Sequence, residues 1–215
     1  MSRKNVSSRM RVTVGLLGGL TLAAVGGAAF AEEVDNSGVE VDVTIQEQQG
    51  AGALSLSVAE NSETLSEVEG ASVDHREFAG VVPDVTVTDT RTDVPEGVYW
   101  YVTGQAGDFV GTDGQAPITP DHLGWEPALV TEGNGEVAPG EKVPTSIDAS
   151  TTPGTPNNVG LEGQELLHLA LDSSVASAAN GEWTANADLT LKTPLDVEPG
   201  SYSSTLTLSL FEESY

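Results

Sequence analysis

Thirty-three Asp and Glu side chains, three histidines and no cysteine set the chemistry open to this 215-residue chain. Without cysteine there is no thiol nucleophile, no thiolate metal ligand and no disulfide. His75, His122 and His168 stand too far apart for a compact zinc motif, and isolated histidines of this kind are expected at the surface or in loops. The sequence has no Gly-x-Ser-x-Gly elbow, no His-Glu-x-x-His helix and no phosphate-binding Gly-rich loop. Glycosidase chemistry needs two carboxyls opposed across a cleft, one with a raised pKa, and a linear sequence does not display that. The chain is therefore expected to be non-enzymatic and to carry no cofactor. Calcium is the one ion with candidate ligands, because Asp108, Asp113 and Asp121 fall in or near expected loops. Their spacing is not that of an EF-hand loop.

Two further groups bear on binding rather than catalysis. Asp89 and Arg91 lie two residues apart, so on a strand they share a face and can pair, pinning the turn that follows. In Tyr99-Trp100-Tyr101 the ring of Trp100 must point opposite to its neighbours. Trp100 aligns with Val98 and Val102, which predicts burial for it and leaves Tyr99 and Tyr101 toward solvent or a covering loop. Exposed paired tyrosines can stack on sugar rings or on partner side chains. Trp125, between Gly124 and Pro127, reads as a loop anchor or an exposed contact, and joins Tyr99 and Tyr101 as a candidate interaction surface. Trp183 is expected to seal the strand after Asn180-Gly181.

The elements that must hold these residues are strands. Val39, Val41, Val43 and Ile45 alternate with polar residues, and the same period of two recurs at Leu54 to Val58, Val85 and Val87, and Val98 to Thr103. It returns at Leu167, Leu169 and Leu171, at Leu189 and Leu191, and at Leu206, Leu208 and Leu210. Gly, Pro, Asn and Asp clusters separate the runs, which predicts an all-β antiparallel sandwich or barrel. Gly133-Asn134-Gly135 and Asn180-Gly181 are expected hairpin turns, and Lys142 to Gly160 a long surface loop. A helix competes with strand only over residues 161–172.

Arg3, Lys4, Arg9 and Arg11, the apolar run Val12 to Val25 and Ala29-Phe30-Ala31 have the form of a secretory signal cleaved after Ala31. The expected organisation is a signal peptide over 1–31, a flexible acidic lead-in over 32–38, one β-sandwich domain over 39–211 and a C-terminal tail over 212–215. All 33 acids follow Ala31, with only Arg76, Arg91, Lys142 and Lys192 as strong bases, so four minus 33 leaves −29 on the exported chain. A field of that sign repels nucleic acid and anionic lipid, and no second apolar span follows the signal. It can attract a basic partner or divalent cations.

Several motifs carry a family resemblance. Val85-Thr86-Val87-Thr88-Asp89-Thr90-Arg91, Gly97 with Trp100, Gly104-Gln105-Ala106-Gly107-Asp108-Phe109 and Leu123-Gly124-Trp125-Glu126-Pro127 follow one another in that order. Ala187-Asp188-Leu189-Thr190-Leu191 with Pro194, then Pro199-Gly200-Ser201-Tyr202 to Leu208, complete the set. Together they resemble the WxL-domain surface proteins of Gram-positive bacteria, most closely their actinobacterial branch. The resemblance covers roughly residues 39 to 211 and implies an immunoglobulin-like β-sandwich outside the cell. It also implies non-covalent attachment to the peptidoglycan-containing wall, often beside companion surface proteins. The chain departs from the pattern at Trp100-Tyr101-Val102, where Val ends the first motif, and at Leu208-Ser209-Leu210, where Leu stands for Trp. Both changes conserve apolar volume, and whether the absent ring was a core anchor or a contact surface stays open. Two other classes of function compete with this reading. One is a structural or adhesive subunit that pairs strands through Tyr202 to Leu210, and the other a calcium-dependent ligand-binding module.

Overall fold

The structure is a computed structural model that describes residues 52–215. The expected signal with Ala29 and Ala31, the lead-in 32–38 and the expected strand Val39 to Ile45 lie outside the described residues. Alternating apolar and polar side chains produce eleven strands in what is described. Five of them, β1 (Leu54–Val58), β2 (Ser66–Glu67), β3 (His75–Asp89), β6 (Leu123–Leu129) and β9 (Glu182–Pro194), form one sheet. Its order is β1-β3-β9-β6, with β2 also paired to β3. A second sheet has the order β11-β4-β8-β7, from β4 (Val98–Ala106), β7 (Val137–Pro139), β8 (Glu165–Ala170) and β11 (Leu206–Ser214). The short β5 (Val110–Gly111) and β10 (Tyr202–Ser203) pair with each other. All pairings are antiparallel. The expected all-β antiparallel class is what the described residues form, and the sheets do not close into a barrel.

The two large sheets share one apolar core. Val82, Val85 and Val87 of β3 and Ala185, Ala187, Leu189 and Leu191 of β9 meet Trp100, Val102 and Ala106 of β4 there. Close approach is set at Gly104, where an added Cβ would lie 2.6 Å from the Trp125 ring. On the strands that form sheet edges among the described residues, the inward leucines, Leu54 and Leu56 of β1 and Leu206, Leu208 and Leu210 of β11, are only half-buried. An edge strand has neighbours on one side only, so its inward side chains lack half of their cover.

Several local expectations are corrected. Residues 165–170 are strand, and the helix α1 (Ser173–Ala179) begins later, because the Asp172 carboxylate accepts from the N–H groups of Ser174 and Val175 and fixes the start. Asn180-Gly181 ends that helix rather than closing a hairpin, with the Asn180 N–H donating to Ala176 O. Gly133-Asn134-Gly135 joins β6 to β7, which belong to different sheets, so it too is a crossover and not a hairpin. Leu167, Leu169 and Leu171 do not share a face as period two predicts. The β4–β8 register slips between Val102 and Thr103, and this bulge buries Leu167 beside inward His168 and Ala170. Leu169 is left half-buried, and Leu171, just past the strand end, is 65% exposed. The expected tail 212–215 is structured: β11 runs to Ser214, and the Tyr215 N–H donates to Gly97 O at 3.0 Å. Among the described residues no helix is long and apolar enough to cross a membrane.

Candidate functional site

Trp100 and Val102 point into the core, so the pleat of β4 turns Tyr99 and Tyr101 outward. The register of β11 sets Phe211 opposite Tyr101 and Glu213 opposite Tyr99. Four rings then stand close together on one outer face. Tyr101 stacks on Phe211 with centroids 5.1 Å apart, Tyr99 on Tyr215 at 5.4 Å, and the two strand tyrosines lie 6.0 Å apart, all within 25° of parallel. The hydroxyls of Tyr99 and Tyr101 each donate to a different oxygen of Glu213, both at 2.7 Å. Those two donors, Tyr99 and then Tyr101, hold the Glu213 carboxyl below its ordinary value, and the same bonds raise both phenols. The Tyr215 hydroxyl donates to the carbonyl of Leu171. Because the rings lean on one another, their shared faces are occupied; what they offer a ligand is their edges, the open side of Tyr215 and the carboxylate they surround.

Phe211, Glu213 and Tyr215 were missed by sequence reasoning because Glu212-Glu213 near the chain end reads as a solvated tail. The alternation of Phe211, Glu213 and Tyr215 was the available signal. The departing motif positions meet on the other side of the same two strands. Leu210 pairs with Val102 and Leu208 with Gly104, beside the buried Trp100.

Asp89 and Arg91 pair as a fork, with Arg91 Nε 2.9 Å from Asp89 Oδ1 and an Arg91 terminal nitrogen 2.7 Å from Oδ2. The guanidinium also donates twice to Glu212 of β11, at 2.8 and 3.0 Å, and so ties the two sheets together. Burial pushes the Asp89 carboxyl up, but the bonds from Arg91 outweigh it and hold the group below its ordinary value. The fork holds β3 to β11 and presents no reacting group to solvent.

Trp125 is not an exposed contact. It sits in β6, 2% exposed, facing Gly104 across the core. Pro127 argues for a turn, yet β6 is the end strand of its sheet among the described residues, where a missing N–H is tolerated. His168 is likewise not a surface residue. The bulge in β8 places it fully inside, edge-on to Trp100 at 5.3 Å, and among the described residues neither ring nitrogen has a hydrogen-bond partner. Burial lowers its pKa from 6.5 to about 4.

The calcium candidates do not converge. Asp121 is bound within its own turn, by the Thr119 hydroxyl and by His122 Nδ1 at 3.2 Å, while Asp108 and Asp113 are exposed. Among the described residues no three His, Asp or Glu side chains gather as a metal site. A cleft of about 380 Å³ on the outer side of the five-stranded sheet holds Glu77, Glu126, Asp148 and Asp188 with Lys142 and Lys192. Lys142 pairs with Glu126 at 2.8 Å, and Lys192 with Asp148 at 2.6 Å and Glu77 at 3.6 Å. Burial raises Asp148, but bonds from Lys192 and Thr145 outweigh it and keep the group below its ordinary value, the opposite of what a general acid needs. Glu165 is raised by burial and lines a separate cleft with Glu141.

No family model matches this chain, and no curated protein does. Among solved structures it is similar to a family 123 glycoside hydrolase from Clostridium perfringens, with 14% identity and a TM-score of 0.30. The match covers 63% of this chain and 18% of that one.

Proposed function

We propose that the protein is a secreted, non-enzymatic, WxL-like surface protein with an immunoglobulin-like sandwich, which associates non-covalently with the peptidoglycan wall or with companion surface proteins. The observation that carries the reading is the outer face of β4 and β11, where Phe211, Tyr101, Tyr99 and Tyr215 stack in a row and the two middle tyrosines hold the Glu213 carboxylate. Aromatic side chains held rigid on a sheet suit contact with a partner, because little conformational entropy is lost on docking. The export signal at the N-terminus and the acidic composition support a place outside the cell. The strand-donating alternative is weakened by the fact that Leu206–Ser214 already completes its own sheet against β4.

Retention on purified peptidoglycan sacculi, measured with calcium and with chelator, tests the wall arm. Saturable retention that disappears in a Tyr99→Ala/Tyr101→Ala variant with an intact melting transition supports it. Retention no greater than that of a β-sandwich control of similar charge rules out direct wall contact. Retention that requires calcium assigns the contact to ion bridging instead.

A further inference from the structure

Among the described residues Glu213 is an anion held ready without a countercharge. Every Lys and Arg among the described residues is already engaged elsewhere: Arg76 with Glu67, Arg91 with Asp89 and Glu212, Lys142 with Glu126, and Lys192 with Asp148 and Glu77. His75 stands near Glu77, His122 near Asp121, and His168 is inside the core. The partners of Glu213 are two phenol hydroxyls, one on each oxygen, which fix the carboxylate in place and leave each oxygen a further lone pair. The faces that the rings share are taken up by stacking, and the open side of Tyr215 adds an electron-rich face, which attracts cations. Tyr215 is the most open of them, 79% exposed.

The strand carrying this group is also the end strand of its sheet among the described residues, in the order β11-β4-β8-β7. A polypeptide added beside β11 would place alternate side chains next to Phe211, Glu213 and Tyr215, because all three share one face at a period of two. A second copy of this chain fits poorly there. Antiparallel pairing about Glu213 would set two carboxylates against each other, between two chains that each carry a large negative charge.

We infer that this face docks an extended segment of a companion protein, with an arginine or lysine seated at Glu213 among the tyrosines and apolar side chains two residues to either side on Phe211 and Tyr215. The inference deepens the surface-association reading and rests on it, with the partner's chemistry now cationic and apolar in alternation.

Calorimetric titration of the full chain with the peptide acetyl-Val-Thr-Arg-Thr-Val-amide, and with the same peptide carrying citrulline for arginine, tests it. Citrulline keeps the shape and removes the charge, so it should bind about tenfold or more weakly. Glu213→Gln should bring the arginine peptide down to the citrulline level, while Glu132→Gln, which removes one exposed carboxylate elsewhere, should leave it unchanged. Equal binding of the two peptides, or equal loss in the two variants, overturns the inference in favour of a purely apolar edge or a diffuse charge effect. No binding of the arginine peptide overturns it outright, as does a dimer of the free chain that the peptide cannot displace. Binding here with no retention on sacculi removes the wall polymer and keeps the docking face; retention on sacculi with no peptide binding does the reverse.

Discussion

Burial of an imidazole that finds no hydrogen-bond partner among the described residues makes His168 a proton-linked weak point in the core. The folded chain holds it neutral, with a pKa of about 4, whereas the unfolded chain takes up a proton below 6.5. Below 6.5 the unfolded state therefore binds more protons, and stability falls as pH drops, until the folded group itself titrates near 4. The whole shift corresponds to roughly 3 kcal/mol, of which about 2 kcal/mol is lost by pH 5. We expect His168→Leu to flatten urea-unfolding stability between pH 6.5 and 4 while the wild type declines across that window; parallel profiles would show that His168 is not the source. Asp89 acts lower on the scale. Its carboxyl is depressed by Arg91, so its contribution is complete above its ordinary value of 3.8 and is lost as pH falls through the lower folded pKa. Acid unfolding thus has an imidazole stage followed by a carboxylate stage.

Strand β4 shows how one element serves both faces of a sheet. Its inward residues, Trp100, Val102 and Gly104, meet the core, and its outward residues, Tyr99 and Tyr101, form the aromatic face with β11. Gly104 is what lets the Trp125 ring lie against the strand, since a Cβ there would come within 2.6 Å of a rigid buried ring. Gly104→Ala is expected to lower stability by about 1 to 3 kcal/mol through overpacking. A thermal melt reads this directly, and a melting temperature equal to that of the wild type would mean that the ring moves aside at no cost. The same strand also explains why β8 could not be read cleanly. The slip at Val102/Thr103 changes which residues of β8 face inward, so a regular leucine pattern misassigns Leu171 and His168.

Across the whole molecule, 33 acids against eight bases leave a formal charge of −25, and the acids all lie after Ala31. Compact folding forces these charges together, and salt bridges neutralise only part of them. Added sodium chloride screens the repulsion, because the Debye length shrinks from about 30 Å at 0.01 M to about 3 Å at 1 M. Stability is expected to rise with salt across that range, read as an increasing urea midpoint at neutral pH. A falling midpoint would mean that the pairs at Arg76, Arg91, Lys142 and Lys192 outweigh the general repulsion. The same field disfavours anionic partners at long range, so contact with an acidic wall polymer would have to rely on short-range stacking, hydrogen bonds or bridging cations.

The sequence by itself determined the antiparallel β class, the strands at Leu54 to Val58, Val85 and Val87, Val98 to Thr103 and Leu206 to Leu210, and the opposite orientation of Trp100 and its tyrosine neighbours. Alternation of side chains along a strand is local geometry, legible within a few residues. The tertiary structure decided what those strands bring together. The two tyrosines reach Glu213 because β11 pairs with β4 at one particular register, and Arg91 reaches Glu212 because the end of β3 in the facing sheet meets β11; each contact joins residues more than a hundred positions apart in the chain. Trp125 and His168 lie inside for the same kind of reason: Pro127 is tolerated on an end strand, and a single bulge re-aims a segment of β8. Strand order and register follow from packing between distant segments, and no local pattern encodes that choice.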